Sequence, residues 1–139
     1  MPRFEASALR GYCVSVLTAS GVERSCAEAV ADALIDAELT GVSTHGVSRL
    51  AVYMQRMDAG VMSRENNIRI VRESTSTLVV DAGNSLGAAA AKFAMERCIA
   101  KAKETGCCFA SVHSSNHFGT AAYYTCLLYT SPSPRDPKT

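Results

Sequence analysis

All three histidines of this 139-residue sequence fall in two short segments whose spacing could do chemistry. The first is Gly41-Val-Ser-Thr-His-Gly-Val-Ser-Arg-Leu50. On a helix read from Ser43 or Thr44, either of which can cap the free amides, His45 and Arg49 are i, i+4 neighbours with Cβ atoms about 5–6 Å apart. His45 then lies in the first turn, where the helix dipole disfavours an imidazolium and the free amides attract an anion. A near-neutral imidazole beside a guanidinium can bind a carboxylate and move a proton on the adjacent carbon. The same spacing also describes a solvated helix face that carries a histidine.

The second segment is His113-Ser-Ser-Asn-His-Phe-Gly119. It follows Cys107 to Val112, an apolar run that reads as a strand buried on both faces. Polar loops at the carboxyl ends of buried strands are where α/β proteins place ligands. Ser114, Ser115 or Asn116 could cap a helix beginning near His117, whose amides would meet a phosphate or carboxylate. An ordinary capped loop with a histidine against Phe118 fits equally. His113 and His117 also have i, i+4 spacing. A third ligand at a diagnostic position, an H-E-x-x-H and a ligand-spaced cysteine pair are missing, so no metal site is read. Neither G-x-G-x-x-G nor G-x-x-x-x-G-K-[ST] occurs, and Gly83-Asn-Ser-Leu-Gly87 is only a weak likeness of a phosphate loop.

The elements that must position these segments can be read from periodicity. Leu9, Tyr12, Cys13, Val16 and Leu17 form one helical stripe closed by Ser20-Gly21. Ala27, Val30, Ala31, Leu34 and Ile35 form a second, ended by Thr40-Gly41. The third helix should run from Ser43 or Thr44 to Asp58-Ala59-Gly60, with Val47, Leu50 and Met54 inward and His45, Arg49 and Arg56 on the opposite side. Asn67–Arg72 and Thr77–Val80 read as strands of a hairpin. A fourth helix runs from about Leu86 to Glu104, with Ala91, Met95, Cys98, Ile99 and Ala102 inward and Lys92 and Glu96 as an exposed pair. The order is three helices, a hairpin, then strand–helix–strand.

Composition bounds the class. Fourteen basic and thirteen acidic residues give a net charge of +1, with no electrostatic footprint for nucleic acid or an anionic membrane. Apolar residues make up 47%, above the range of disordered chains, yet no stretch is long enough to span a membrane. The six cysteines are scattered, as for buried small hydrophobes in the reducing cytoplasm.

From Cys126 the character changes, and three of the four prolines follow residue 131. Cys126-Leu-Leu-Tyr-Thr-Ser-Pro-Ser-Pro-Arg-Asp136 resembles the translation of a transposase library adapter, so 126–139 is expected to be a non-native tail. Authentic sequence would then end near Thr125, as the N-terminal piece of a longer protein. A native Pro/Ser-rich tail is the alternative.

Together, Gly41-Val-Ser-Thr-His-Gly-Val-Ser-Arg49, Tyr53, Gly60, Asp81-Ala-Gly-Asn-Ser-Leu-Gly87 and Ser115-Asn-His-Phe-Gly-Thr-Ala-Ala-Tyr-Tyr124 resemble the type-2 malate/L-lactate dehydrogenase family. Its relatives include ureidoglycolate and sulfolactate dehydrogenases, 2,3-diketo-L-gulonate reductase and reductases of cyclic imines such as piperideine-2-carboxylate. The resemblance covers Phe4 to Thr125. It implies a mixed α/β fold of non-Rossmann type, with an N-terminal helical segment (1–62) and the start of an NAD(P)-binding, catalytic α/β domain (63–125). It implies hydride transfer between NAD or NADP and a small 2-hydroxy/2-oxo acid of malate, lactate or ureidoglycolate type, by a cytoplasmic homodimer without nucleic-acid or membrane partners.

Position by position, the resemblance makes His45 the proton donor or acceptor to the carbonyl oxygen and His117 a second acid/base. Thr44 and Arg49 fall on substrate-binding positions, Arg49 holding the carboxylate. Asn116, Phe118 and Gly119 fall where the family lines the pocket near the nicotinamide. Ser43 stands where many relatives have Asp, and Thr44 where most have Ser. Most of the family's cofactor-binding residues lie C-terminal to this sequence, so the fragment itself is expected to be inactive, with unpaired sheet edges. A cyclic imine-2-carboxylate reductase and a non-catalytic ligand-binding remnant are the alternative readings.

Overall fold

The computed structural model describes residues 3–130; residues 131–139 of the expected tail lie outside it. Five helices and one three-stranded sheet follow in the order α1 (Ala6–Ala19), α2 (Arg24–Leu39), α3 (Ser48–Asp58), β1 (Arg69–Glu73), β2 (Thr77–Asp81), α4 (Gly87–Thr105), β3 (Phe109–His113) and α5 (Ala121–Thr130). This is the mixed α/β class expected.

Helix α2 is the centre of the packing. Ala27, Val30, Ala31, Leu34 and Ile35 are all buried as their spacing requires, and Ala29, Ala33 and Ala37 are buried beside them. A helix buried on two sides by alanines admits neighbours closely, and α2 packs against both α1 and α4. Cys13 and Leu17 of α1, Leu50, Tyr53 and Met57 of α3, and Ala88 and Ala89 of α4 join it in one apolar core. That core runs without a break from the first helices into α4. Tyr12, expected inside, is 59% exposed, and Val14 takes its place. The stripe on α1 is thus shifted from Tyr12 toward Val14, with Cys13 and Leu17 still at its centre. Lys92 reaches Asp32 on α2, at 4.0 Å, rather than pairing with Glu96 on its own helix.

The hairpin forms as expected, with β1 antiparallel to β2 and an irregularity between Ile70 and Arg72. Strand β3 then pairs parallel with β2, from Thr77 opposite Phe109 to Asp81 opposite His113. A parallel neighbour requires a crossover, and α4 is that crossover. The α4 helix stops at Gly106, whose φ of +86° turns the chain out of the helix with its amide bonded to Ala102 O.

One expectation about β3 fails. The strand is mostly exposed, with Phe109 at 69% and Val112 at 37%, because it forms one edge of the sheet and the described residues leave its outer side open. The cysteines correct their reading too: Cys13 and Cys26 are buried, but Cys107 and Cys126 are exposed and Cys98 and Cys108 lie between. The change of composition at Cys126 does not interrupt the helix that contains it. Helix α5 passes through Cys126 and continues to Thr130, the last described residue. Among the described residues no helix is long and apolar enough to cross a membrane.

Candidate active site

His45 is not in the first turn of a long helix. Ser43–His45 form a single 3-10 turn, Gly46 is extended, and α3 begins only at Ser48. Neither Ser43 nor Thr44 caps it. Glu38, reaching across from the last turn of α2, does so: its Oε1 accepts the Val47 amide at 2.8 Å. This explains Gly46. A Cβ there would stand 2.1 Å from Glu38 Oε1 and 2.8 Å from its Cγ. Gly46→Ala is therefore expected to displace Glu38 and release the cap, costing about 1 kcal/mol in urea unfolding. An unchanged midpoint would show that the contact does not matter.

The turn presents three polar side chains. Thr44 Oγ1 lies 3.0 Å from His45 Nδ1, which leaves His45 Nε2 free. Arg49 Nε donates to Thr44 O at 2.8 Å, so its two terminal amino groups remain. Arg49 is half-buried, and among the described residues no carboxylate pairs with it.

The second segment arrives from β3 as an extended loop, not as a capped helix at His117; α5 starts only at Ala121. The loop's shape is imposed by the β2–α4 connection. Ala82 and Asn84 amides donate to His113 O and Ser114 O, and Asn116 Nδ2 donates to Asn84 O, Asn84 Oδ1 and Ser85 O. Asn84 and Ser114 both hold positive φ, 59° and 53°, where non-glycine residues are uncommon. Buried Ser85 ties the same connection to the chain before β1, donating to Glu65 O and accepting from the Asn67 amide. The amides of Gly83, Asn84 and Ser85 are thus all spent within the protein, on Asp81 Oδ1, Ser114 O and Ala82 O. These three amides cannot cradle a phosphate, contrary to the weak likeness read in Gly83–Gly87.

This clamp carries His117 to the His45 turn. The two imidazole centroids are 5.3 Å apart, and His117 Nδ1 lies 2.8 Å from Tyr53 Oη. Burial, then the positive charges of Arg49 and His45, hold His117 below its ordinary pKa, so it is neutral at physiological pH. Burial likewise raises the Tyr53 hydroxyl, which stays protonated. His117 is expected to titrate below 6.5 by NMR, and Arg49→Leu to move it upward, since losing a nearby cation favours the imidazolium. A downward shift would place the guanidinium elsewhere.

His45, Thr44, Arg49 and His117 therefore converge, with Tyr53 as a fifth member that reasoning on the two segments had left out. The signal was available, since 45, 49 and 53 repeat at four-residue intervals. Phe118 and Gly119 continue past His117. Phe118, 42% exposed, packs its ring on Tyr124 with centroids 5.5 Å apart, while Gly119 has φ +86° and open space where a Cβ would be. His113 stands apart, near Ser114 Oγ and 3.8 Å from Asp81. Among the described residues no three His, Cys, Asp or Glu side chains are grouped to hold a metal.

A family model described as malate/L-lactate dehydrogenase matches residues 4–130. The chain belongs to that family. Among its relatives is the malate/(S)-sulfolactate dehydrogenase of Methanothermus fervidus, 35% identical over 84% of this chain and 34% of the relative. The (2R)-3-sulfolactate dehydrogenase (NADP(+)) of Chromohalobacter salexigens is 39% identical over 78% of this chain and 32% of its own. The solved malate dehydrogenase of Pyrococcus horikoshii superposes with a TM-score of 0.88 at 36% identity, over 91% of this chain and 36% of that one. The chain thus spans about a third of the length of the malate/L-lactate dehydrogenase relatives it matches.

Proposed function

We propose that the His45–Arg49–Tyr53–His117 cluster is the substrate side of an NAD(P)-dependent oxidoreductase acting on a small 2-hydroxy/2-oxo acid. The observation that carries this is Arg49, a half-buried guanidinium without a carboxylate partner among the described residues, set beside two imidazoles. Its terminal amino groups can take the substrate carboxylate in a bidentate pair. The carbon next to that carboxylate then falls against the imidazoles. With Nδ1–H of His117 donating to Tyr53 Oη, the Nε2 lone pair is free to accept the hydroxyl proton as the acid is oxidised. His45 Nε2, steadied through Nδ1 by Thr44, faces the same oxygen as donor or acceptor.

NAD or NADP, when bound, supplies the hydride acceptor. The residues present fit one edge of such a group. Exposed Phe118 and the unfilled space at Gly119 make a shelf beside His117, with Asn116 holding the loop from behind. The amides of Gly83, Asn84 and Ser85 are already engaged and are not left to bind its phosphates. At a third of its relatives' length the chain alone is inactive on this reading, and the active protein is a cytoplasmic homodimer.

The test is a chimera in which residues 4–130 replace the matching segment of a full-length relative. NAD(P)H-dependent reduction of the 2-oxo acids of malate, lactate or sulfolactate is expected, and none by the 139-residue chain. A folded chimera inert toward all of them would refute the proposal, and turnover by the chain alone would refute its dependence on the rest of the protein.

A further inference from the structure

Helix α4, strand β3 and helix α5 enclose an apolar groove of about 380 Å³, and two of its lining residues are cysteines. Cys98 lies on α4, and Cys108 immediately precedes β3. Both border the same wall of the groove, near enough for each thiol to influence the other. Both are partly exposed, so a small oxidant reaches them, whereas Cys13 and Cys26 are sealed in the helical core.

We infer that Cys98 and Cys108 form a redox-active dithiol that a peroxide closes to an intramolecular disulfide. Burial, reinforced by the neighbouring Cys108, pushes the Cys98 thiol up to about 11, so Cys98 stays protonated at neutral pH. Cys108 is accordingly the thiol oxidised first. Its thiolate attacks one peroxide oxygen, the O–O bond breaks, and Cys108 becomes a sulfenic acid with release of water. Cys98 then gives up its proton and attacks Cys108 Sγ. The S–S bond forms, the S–O bond breaks, and a second water leaves. Two thiols have lost two electrons and two protons, and the peroxide has been reduced to two waters. Because the second step needs the Cys98 thiolate, closure quickens as pH rises. The bond ties α4 to the start of β3, the strand that leads into His113–His117.

The purified chain treated with hydrogen peroxide, thiol-blocked and digested with trypsin without reduction reads this directly. Cleavage after Arg97, Lys101 and Lys103 separates Cys98 from Cys108. A cross-link between the peptide Cys98–Lys101 and the peptide beginning at Glu104 is expected, short of two hydrogens and reversed by dithiothreitol. Cys107→Ser is expected to retain it and Cys108→Ser to lose it. A free Cys98 in the oxidised wild-type chain, or a link that persists in Cys108→Ser through Cys107, would overturn the inference. Fragmentation of the linked peptide in the mass spectrometer assigns the partner of Cys98 among Cys107, Cys108 and Cys126, so the wild-type chain decides the matter even if a serine variant folds poorly.

Discussion

His45→Ala in the active chimera is expected to lower kcat by about 10²–10⁴-fold, the usual span for a positioned acid/base, while leaving KM nearly unchanged. On the proposed function its Nε2 meets the substrate oxygen, while Thr44 Oγ1 lies 3.0 Å from the other ring nitrogen. The proton moves only on the way to the transition state, so its loss falls on turnover. Arg49→Ala is expected to behave differently. On the same proposal the guanidinium holds the carboxylate equally in ground and transition states, so KM should rise by about 10–100-fold, the worth of a charge-assisted bidentate contact. Steady-state kinetics on both variants separates the roles. An unchanged kcat/KM in both would remove this cluster from the reaction.

Gly87→Ala is expected to cost about 3 kcal/mol in urea unfolding, at the upper end for an overpacked site. A Cβ on Gly87 would lie 2.2 Å from Asn116 O and 2.5 Å from His117 O. Both obstacles are backbone, so no rotamer change relieves them, in contrast to the flexible Glu38 side chain facing Gly46. The loop bearing His117 must therefore retreat from α4, breaking the contact with Tyr53. Burial is the largest cause of the low His117 pKa, so a retreating ring titrates closer to 6.5. Stability within about 0.5 kcal/mol of wild type, with His117 still titrating low, would mean that the loop does not depend on this close approach.

The same two glycines mark the limit of what spacing could convey. Each is required by a neighbour distant in the chain, Glu38 across a helix connection and Asn116–His117 across the whole of α4. Local preference says nothing about such neighbours. Strand β3 is a similar case. Its apolar run correctly indicates a strand, but burial depends on which elements lie on its faces and edges, and the described residues leave Phe109 exposed. The third helix began late because an acidic side chain from α2 supplied the cap that Ser43 and Thr44 were expected to give.

By itself the sequence determined the stripes of α2, the β1–β2 hairpin, the β2–α4–β3 order and the two histidine-bearing segments, because periodicities of 3.6 and 2 and the turn chemistry of glycine act over a few residues. Only the tertiary structure decided that these segments meet. Tyr53 and His117 are 64 residues apart in sequence and 2.8 Å apart in space. That contact is produced by the parallel pairing of β2 with β3, by the hydrogen bonds of Asn116, and by a missing Cβ at Gly87, each a long-range constraint on packing that no local pattern encodes.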